Sequence, residues 1–243
     1  EQARVIKSAG ELTLMRAAVD VCEAGMAGMR AALGAGMTEN ELWSILHQIN
    51  IAKGGEWIET RLLSSGERTN PWFQECGERV IQAGDLVSFD TDLIGPFGYC
   101  ADLSRTFFCG PGRPSAEQRR LYRLAREQIQ FNTDLLRPGL TLHEVAEQAF
   151  VLPAACVPNR YSVVLHGVGL CDEYPHCAYR EDMARGGYEA RLEVGMTVCV
   201  ESYIGEVGGS DGVKLEEQVV IPERGAEPLS TFPFEDELLA RHI

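Results

Sequence analysis

The sequence predicts an α+β chain made of two related halves, each helix–helix–strands, around a shared curved antiparallel sheet. Three observations carry that prediction. Helix starts come in two pairs, Ser8 with Thr38 and then Ser115 with Thr141, each followed three residues later by Glu or Gln. A short text repeats: GMTENEL (Gly36–Leu42) and GLTLHEV (Gly139–Val145) both read Gly, apolar, Thr, two variable residues, Glu, apolar. After each helix pair come apolar runs bounded by Gly and Pro, as strands require.

Each element follows in order. Ser8-Ala9-Gly10-Glu11 is a capping box, and Leu12, Met15, Val19, Cys22 and Met26 then recur at helical spacing. Thr38 to Glu41 opens a second helix that runs to about Ala52. Strands are expected over Leu86–Asp92 and Tyr99–Phe108, joined by a turn containing Gly95, Pro96 and Gly98. Ser115–Gln118 and Thr141–Glu144 open the helices of the second half. Its strands are expected over Tyr161–Val164, Thr197–Tyr203 and Lys214–Ile221. With 243 residues, 45% of them hydrophobic, and no linker or low-complexity tract, residues 1–243 read as one domain.

The charge balance is 36 acids against 22 bases, a net −14, which argues against a nucleic-acid partner and suits a cationic ligand or metal. No run approaches the roughly 18 apolar residues of a membrane span. The opening EQARVIKSAGEL lacks the apolar core of a signal peptide, so the expected location is cytoplasmic. Eight cysteines without a C-x-x-C pair agree with reduced thiols rather than a zinc ribbon or a disulfide framework.

Chemistry concentrates in SFDTDLIGPFGYCADLSRT, Ser88–Thr106. Asp90 and Asp92 alternate on the expected strand and so share a face, and Asp102 sits on the returning arm. Flanking Leu86, Val87, Phe89, Leu93, Phe107 and Phe108 mark these strands as buried. Buried carboxylates are costly unless a cation neutralises them. His166 in VVLHGVGL, Glu201 in TVCVESY and Glu216 in GVKLEEQVV add three more candidate ligands in apolar strand text. Five carboxylates and one imidazole suit a pair of hard or borderline divalent ions such as Mn, Fe, Co or Zn.

The order Asp, Asp, HG-x-G, Glu, Glu on a duplicated frame resembles the pita-bread superfamily of methionine aminopeptidases, prolidases and creatinase. The resemblance runs from KSAGELTLMRAA (Lys7–Ala18) to VKLEEQVVI (Val213–Ile221). It implies that His166 and Glu201 hold one metal, Asp90 and Asp92 the other, and that Asp102 and Glu216 bridge. It also implies a homodimer, and an N-terminal domain of a longer protein ahead of this chain.

Two departures from the peptidase pattern redirect the function. Peptidases of the superfamily carry two further histidines that serve the scissile peptide. Here Trp72 follows Pro71 in SSGERTNPWF, and Asp172 or Glu173 replaces the second histidine in HGVGLCDEYP, leaving His176 as a surface residue. The peptidase aspartate expected eleven residues before Asp102 is Thr91, flanked by Asp90 and Asp92. That doublet, within FDTDLIGPFGYCADLSRTF, resembles the dimethylsulfoniopropionate lyases of the superfamily. The resemblance implies elimination of dimethyl sulfide from a sulfonium carboxylate, giving acrylate, with iron the expected metal. A thioether leaves without needing a proton, so the peptidase histidines are dispensable. Asp172 is the expected base for the α-proton, and Tyr161 and Trp72 are the expected aromatic contacts of the sulfonium. The alternatives are an Xaa-Pro dipeptidase with atypical residues and a non-catalytic binding module; the second predicts decay of the metal ligands, all six of which are present.

Overall fold

The structure is a computed structural model that describes residues 1–240. The first half holds helices α1 (Ala9–Ala32) and α2 (Glu39–Ala52), then strands β1 (Trp57–Ile58), β2 (Leu63–Ser65), β3 (Leu86–Asp90), β4 (Leu93–Ile94), β5 (Cys100–Ala101) and β6 (Ser104–Phe108). The second holds α3 (Ala116–Leu135), α4 (Leu142–Gln148), β7 (Leu165–Val168), β8 (Asp172–Cys177), a one-turn α5 (Met183–Gly186), β9 (Thr197–Gly205) and β10 (Gly212–Val220). A short β11 (Glu227–Pro228) and α6 (Asp236–Leu239) close the described chain.

All four expected capping boxes form. The Ser8, Thr38, Ser115 and Thr141 side chains each accept from the third backbone amide of their helix, and the Glu or Gln there accepts from the capping residue in return. Each cap satisfies two otherwise orphaned amides and is worth about 1 kcal/mol.

The duplication extends beyond the repeated text. Gly36 and Gly139 both take left-handed backbone, at φ 102° and 95°. Each is tied to an incoming strand by the same bonds: Gly36 N donates to Ile81 O and Ile81 N to Met37 O, just as Gly139 N donates to Leu192 O and Leu192 N to Leu140 O. Thr38 bridges Val80 as Thr141 bridges Arg191. Two apolar cores form, one mostly from the first half around Met15, Leu46, Phe89 and Phe107 but completed by Val168, Cys199 and Val220, the other mostly from the second around Tyr122, Ile129, Val198 and Leu215 but completed by Leu86 and Phe108.

The expected shared sheet is resolved into three antiparallel sheets: β1-β4-β5, β2-β3-β6 and β11-β10-β9-β7-β8. The second and third meet along a seam of side-chain bonds. Ser88 Oγ donates to Gly212 O (2.9 Å), Thr106 Oγ1 to Lys214 O (2.9 Å) and Arg105 to Glu216 O (2.9 Å). Two expectations need correction. Tyr161–Val164 is not a strand; only its last residue bonds the neighbours, Val164 N donating to Cys177 O and its carbonyl accepting from Glu201 N, and the ladder runs from Leu165. The expected hairpin is also interrupted in both arms, after Asp90 in the first and at Asp102–Leu103 in Tyr99–Phe108, because the Thr91 hydroxyl bonds Ala101 O and Leu103 N and draws the chain off the ladder.

Candidate metal centre

The six residues expected to ligate do converge, at the seam between the halves. Asp90 stands at the end of β3, Asp102 between β5 and β6, His166 on β7, Glu201 on β9 and Glu216 on β10, all buried. Glu201 and Glu216 are direct register partners across β9 and β10, which brings their side chains to one face. Asp92 arrives differently from the expected alternation. It lies outside the strand in left-handed backbone, φ 35°, a conformation that Asp tolerates better than most residues. Thr60 Oγ1 donates to its carboxylate at 2.6 Å.

His166 is the hub. Its Nε2 lies 3.2 Å from Glu201 Oε1, 3.4 Å from Glu216 Oε1 and 3.6 Å from Asp102 Oδ2, while its Nδ1 lies 3.6 Å from Asp172 Oδ1. The backbone must pass very close here, as the glycines of the HGVG text anticipated. A Cβ on Gly167 would meet the Tyr174 carbonyl oxygen at 2.2 Å, and one on Gly169 would meet Glu173 Oε1 at 2.2 Å.

Packing so many acids together raises their proton affinity. Burial, and then the Glu216 charge, pushes Asp90 up to about 8 and Glu201 up to about 7. Burial does the same to Asp92 and Asp102, helped by Asp90 at the first and Glu216 at the second. Burial alone would lower His166, but the Glu201 and Glu216 carboxylates outweigh it and hold the imidazole well above its usual value. Glu216 is the exception: burial works against its ionisation, yet Lys214 and His166 hold it well below the usual carboxylate range.

Lys214 is the member of this centre that sequence reasoning missed. Its Nζ lies 2.8 Å from Glu201 Oε2, 2.9 Å from Glu216 Oε2 and 3.1 Å from Asp90 Oδ2, and it donates to Ser104 Oγ at 2.7 Å. Alternation on β10 puts 214 and 216 on one face, so the signal was in GVKLEE all along. Cys199 was missed in the same way. It shares a face of β9 with Glu201, and its Sγ can join Asp102, His166 and Glu216 around a single point.

The donor set fits divalent cations. Asp90, Glu201 and Glu216 form one such group, and Asp92, Asp102 and Asp172 another. Glu201 Oε2 and Glu216 Oε1 are buried and accept no hydrogen bond, although Lys214 forms an ion pair with the first. Both oxygens are faced by nitrogen, Glu201 Oε2 by Lys214 Nζ at 2.8 Å and Glu216 Oε1 by His166 Nε2 at 3.4 Å, and carboxylate oxygens gathered this closely are the donors a hard cation takes.

Asp172 opens β8 at the rim, its side chain 40% exposed, within reach of Asp92 and Asp102. The neighbouring Glu173, the other candidate for the missing histidine's place, faces the opposite way. It is fully buried and held by Lys7 at 2.7 Å and by Arg4. His176 is exposed, as expected. Trp72 is buried against Tyr203, with ring centroids 5.9 Å apart. Tyr161 is half-buried, and Lys214 Nζ lies 4.7 Å from its centroid and 5.9 Å from that of Trp72.

A duplicated α+β frame with one imidazole and five buried carboxylates at its seam defines a scaffold suited to divalent metal. The chain belongs to metallopeptidase family M24, whose model matches residues 13–223. It has the pita-bread fold: an Xaa-Pro dipeptidase from Bacillus anthracis superposes with a TM-score of 0.86 at 26% identity, covering 97% of this chain and 64% of that one. Among curated proteins, the dimethylsulfoniopropionate lyase DddP of Roseovarius nubinhibens is 46% identical over 99% of this chain, and that of Roseobacter denitrificans is 45% identical over 98%. The chain spans 55% of the length of each of these two relatives. Among the described residues no helix is long and apolar enough to cross a membrane.

Proposed function

We propose that the chain carries the catalytic centre of a dimethylsulfoniopropionate lyase, a carbon–sulfur lyase that releases dimethyl sulfide and acrylate. The observation that carries this reading is the 46% identity to a lyase over nearly the whole chain, set beside a centre that keeps its acids and lacks the peptidase imidazoles. Asp90, Asp92, Asp102, His166, Glu201 and Glu216 are the proposed metal ligands. Two divalent ions, once bound there, would supply the positive charge that holds the substrate carboxylate and stabilises charge developing at the α-carbon.

The protein's own residues do the rest. Asp172 takes the α-proton; its place at the rim, 3.6 Å from His166 Nδ1, supports that role by leaving it reachable by a substrate. The electron pair of the broken C–H bond forms the new double bond as the C–S bond breaks, and the thioether departs neutral. Tyr161 borders the substrate. Burial beside Glu201 and Asp90 pushes its phenol upward, so it stays protonated and adds no charge there. Iron is the proposed metal, the proposed assembly is a homodimer, and the proposed compartment is the cytoplasm; eight unpaired cysteines support a reducing one.

The test is headspace detection of dimethyl sulfide after adding the substrate to iron- or manganese-loaded protein, with an Xaa-Pro dipeptide run in parallel. Sulfide release without peptide cleavage is expected. Cleavage of the dipeptide without sulfide would replace the lyase by a peptidase.

A further inference from the structure

The sulfonium needs an aromatic face, and the two rings the sequence pointed to already have a cation. Lys214 Nζ lies 4.7 Å from the Tyr161 centroid and 5.9 Å from that of Trp72. A substrate cation placed beside the ammonium would meet a like charge in a buried setting, where repulsion is poorly screened. Another ring must do the work.

Phe73 is that ring. It follows Trp72 directly and stacks on Tyr161, with centroids 5.4 Å apart and planes 26° apart. Yet it is 57% exposed, and among the described residues no Lys or Arg lies over it. Its backbone is left-handed, φ 68°, a conformation that a bulky residue adopts only under strain. The loop does not yield to relieve this, because it is fastened on both sides. Asn70 Nδ2 donates to Glu206 O and Gly209 O, the Tyr203 hydroxyl donates to Thr69 O, and Leu62 bridges Glu75. The fold therefore holds a large apolar ring outward, in strained backbone, for no gain in burial.

We propose that Phe73 is a specificity-determining residue that offers its exposed face to the sulfonium methyl groups while the substrate carboxylate lies in the acid centre. The assignment rests on the lyase reading and names a residue that sequence analysis did not single out. It predicts a preference for cations over isosteric neutral groups, since cation–π attraction needs the charge.

The test compares wild type, Phe73→Leu and Phe73→Trp, all manganese-loaded. Calorimetric titration with a trimethylammonium propanoate and with its uncharged tert-butyl analogue gives the cation preference of each. Wild type is expected to prefer the cation, Phe73→Leu to lose about 5- to 10-fold of that preference, and Phe73→Trp to retain it. With substrate, KM should rise in Phe73→Leu by a similar factor, with a smaller change in kcat. An unchanged preference in Phe73→Leu overturns the proposal, as does a wild type with no preference. So does a change in sedimentation of Phe73→Leu with selectivity intact, which would make the ring a contact between chains. Cation selectivity that depends on Phe73 in a protein releasing no sulfide would uphold the ring's role and sink only the lyase.

Discussion

Replacing Lys214 with Met tests how the acid centre is balanced. The ammonium is fully buried and lies within 3.1 Å of Asp90, Glu201 and Glu216. Removing one partner from a buried charged network costs about 3–5 kcal/mol. For a chain of this size each kcal/mol moves the melting temperature by about 2–4 °C, so the metal-free variant should melt roughly 6–20 °C below wild type near pH 8. The deficit depends on pH in a defined sense. Asp90 and Glu201 are raised to about 8 and about 7, so between pH 5 and 8 the folded state keeps protons that the unfolded chain has released. Stability of the metal-free protein therefore falls as pH rises through that window. Lys214 lowers both values, so its loss makes the fall steeper, and the variant should be closest to wild type near pH 5. Manganese should restore much of the loss, because a bound cation neutralises the same oxygens. Calorimetric scans of chelator-treated and metal-loaded proteins at pH 5 and 8 measure each quantity. Equal melting temperatures for metal-free wild type and variant at pH 8 would refute this account of the charge balance.

Three further outcomes follow from the geometry. Asp172→Asn should leave metal content unchanged by elemental analysis and cut kcat by about 10²–10⁴, the span expected for loss of a general base; near-normal turnover would remove Asp172 from the role, and lost metal would make it a ligand beside Asp92 and Asp102 instead. Gly167→Ala places a methyl 2.2 Å from the Tyr174 carbonyl oxygen, so β7 and β8 must separate. It should cost about 1–3 kcal/mol and weaken metal binding, read together by melting and metal titration. Metal affinity of the wild type should strengthen as pH rises from 5 to 8, since Asp90 and Glu201 must lose protons to ligate, and a flat profile by competition with a chelator would show that they do not.

What was legible in the sequence was local or periodic. Capping boxes announce themselves within four residues, so all four helix starts fell where the text put them. The convergence of these acids with His166 was legible because charge inside an apolar strand is conspicuous. Lys214 was hidden because one lysine in a strand is ordinary until register shows that it faces three acids. The Glu173 clamp was hidden for a different reason, since its partners Lys7 and Arg4 lie more than 160 positions away in the chain. Asp92 reached the right place by the wrong route: a hydroxyl on Thr91 competes with the ladder for backbone groups, which a period-two pattern cannot register. The strand at Tyr161–Val164 failed because β-branched residues set a propensity but not a partner. Tyr161 instead stacks on Phe73, and that contact was invisible without the fold.

The centre draws Asp90, Asp92 and Asp102 from the first half and His166, Glu201 and Glu216 from the second, across a seam otherwise tied by side-chain bonds. A cation held by both sets is also a fastener between them. If the chain is cut in the Gly110–Pro114 connection, each fragment carries most of one core and half of the clustered acids. Shared core packing and the seam bonds favour their reassembly without an ion, and any added gain in complemented protein on supplying a divalent cation would measure how much the proposed centre fastens the halves.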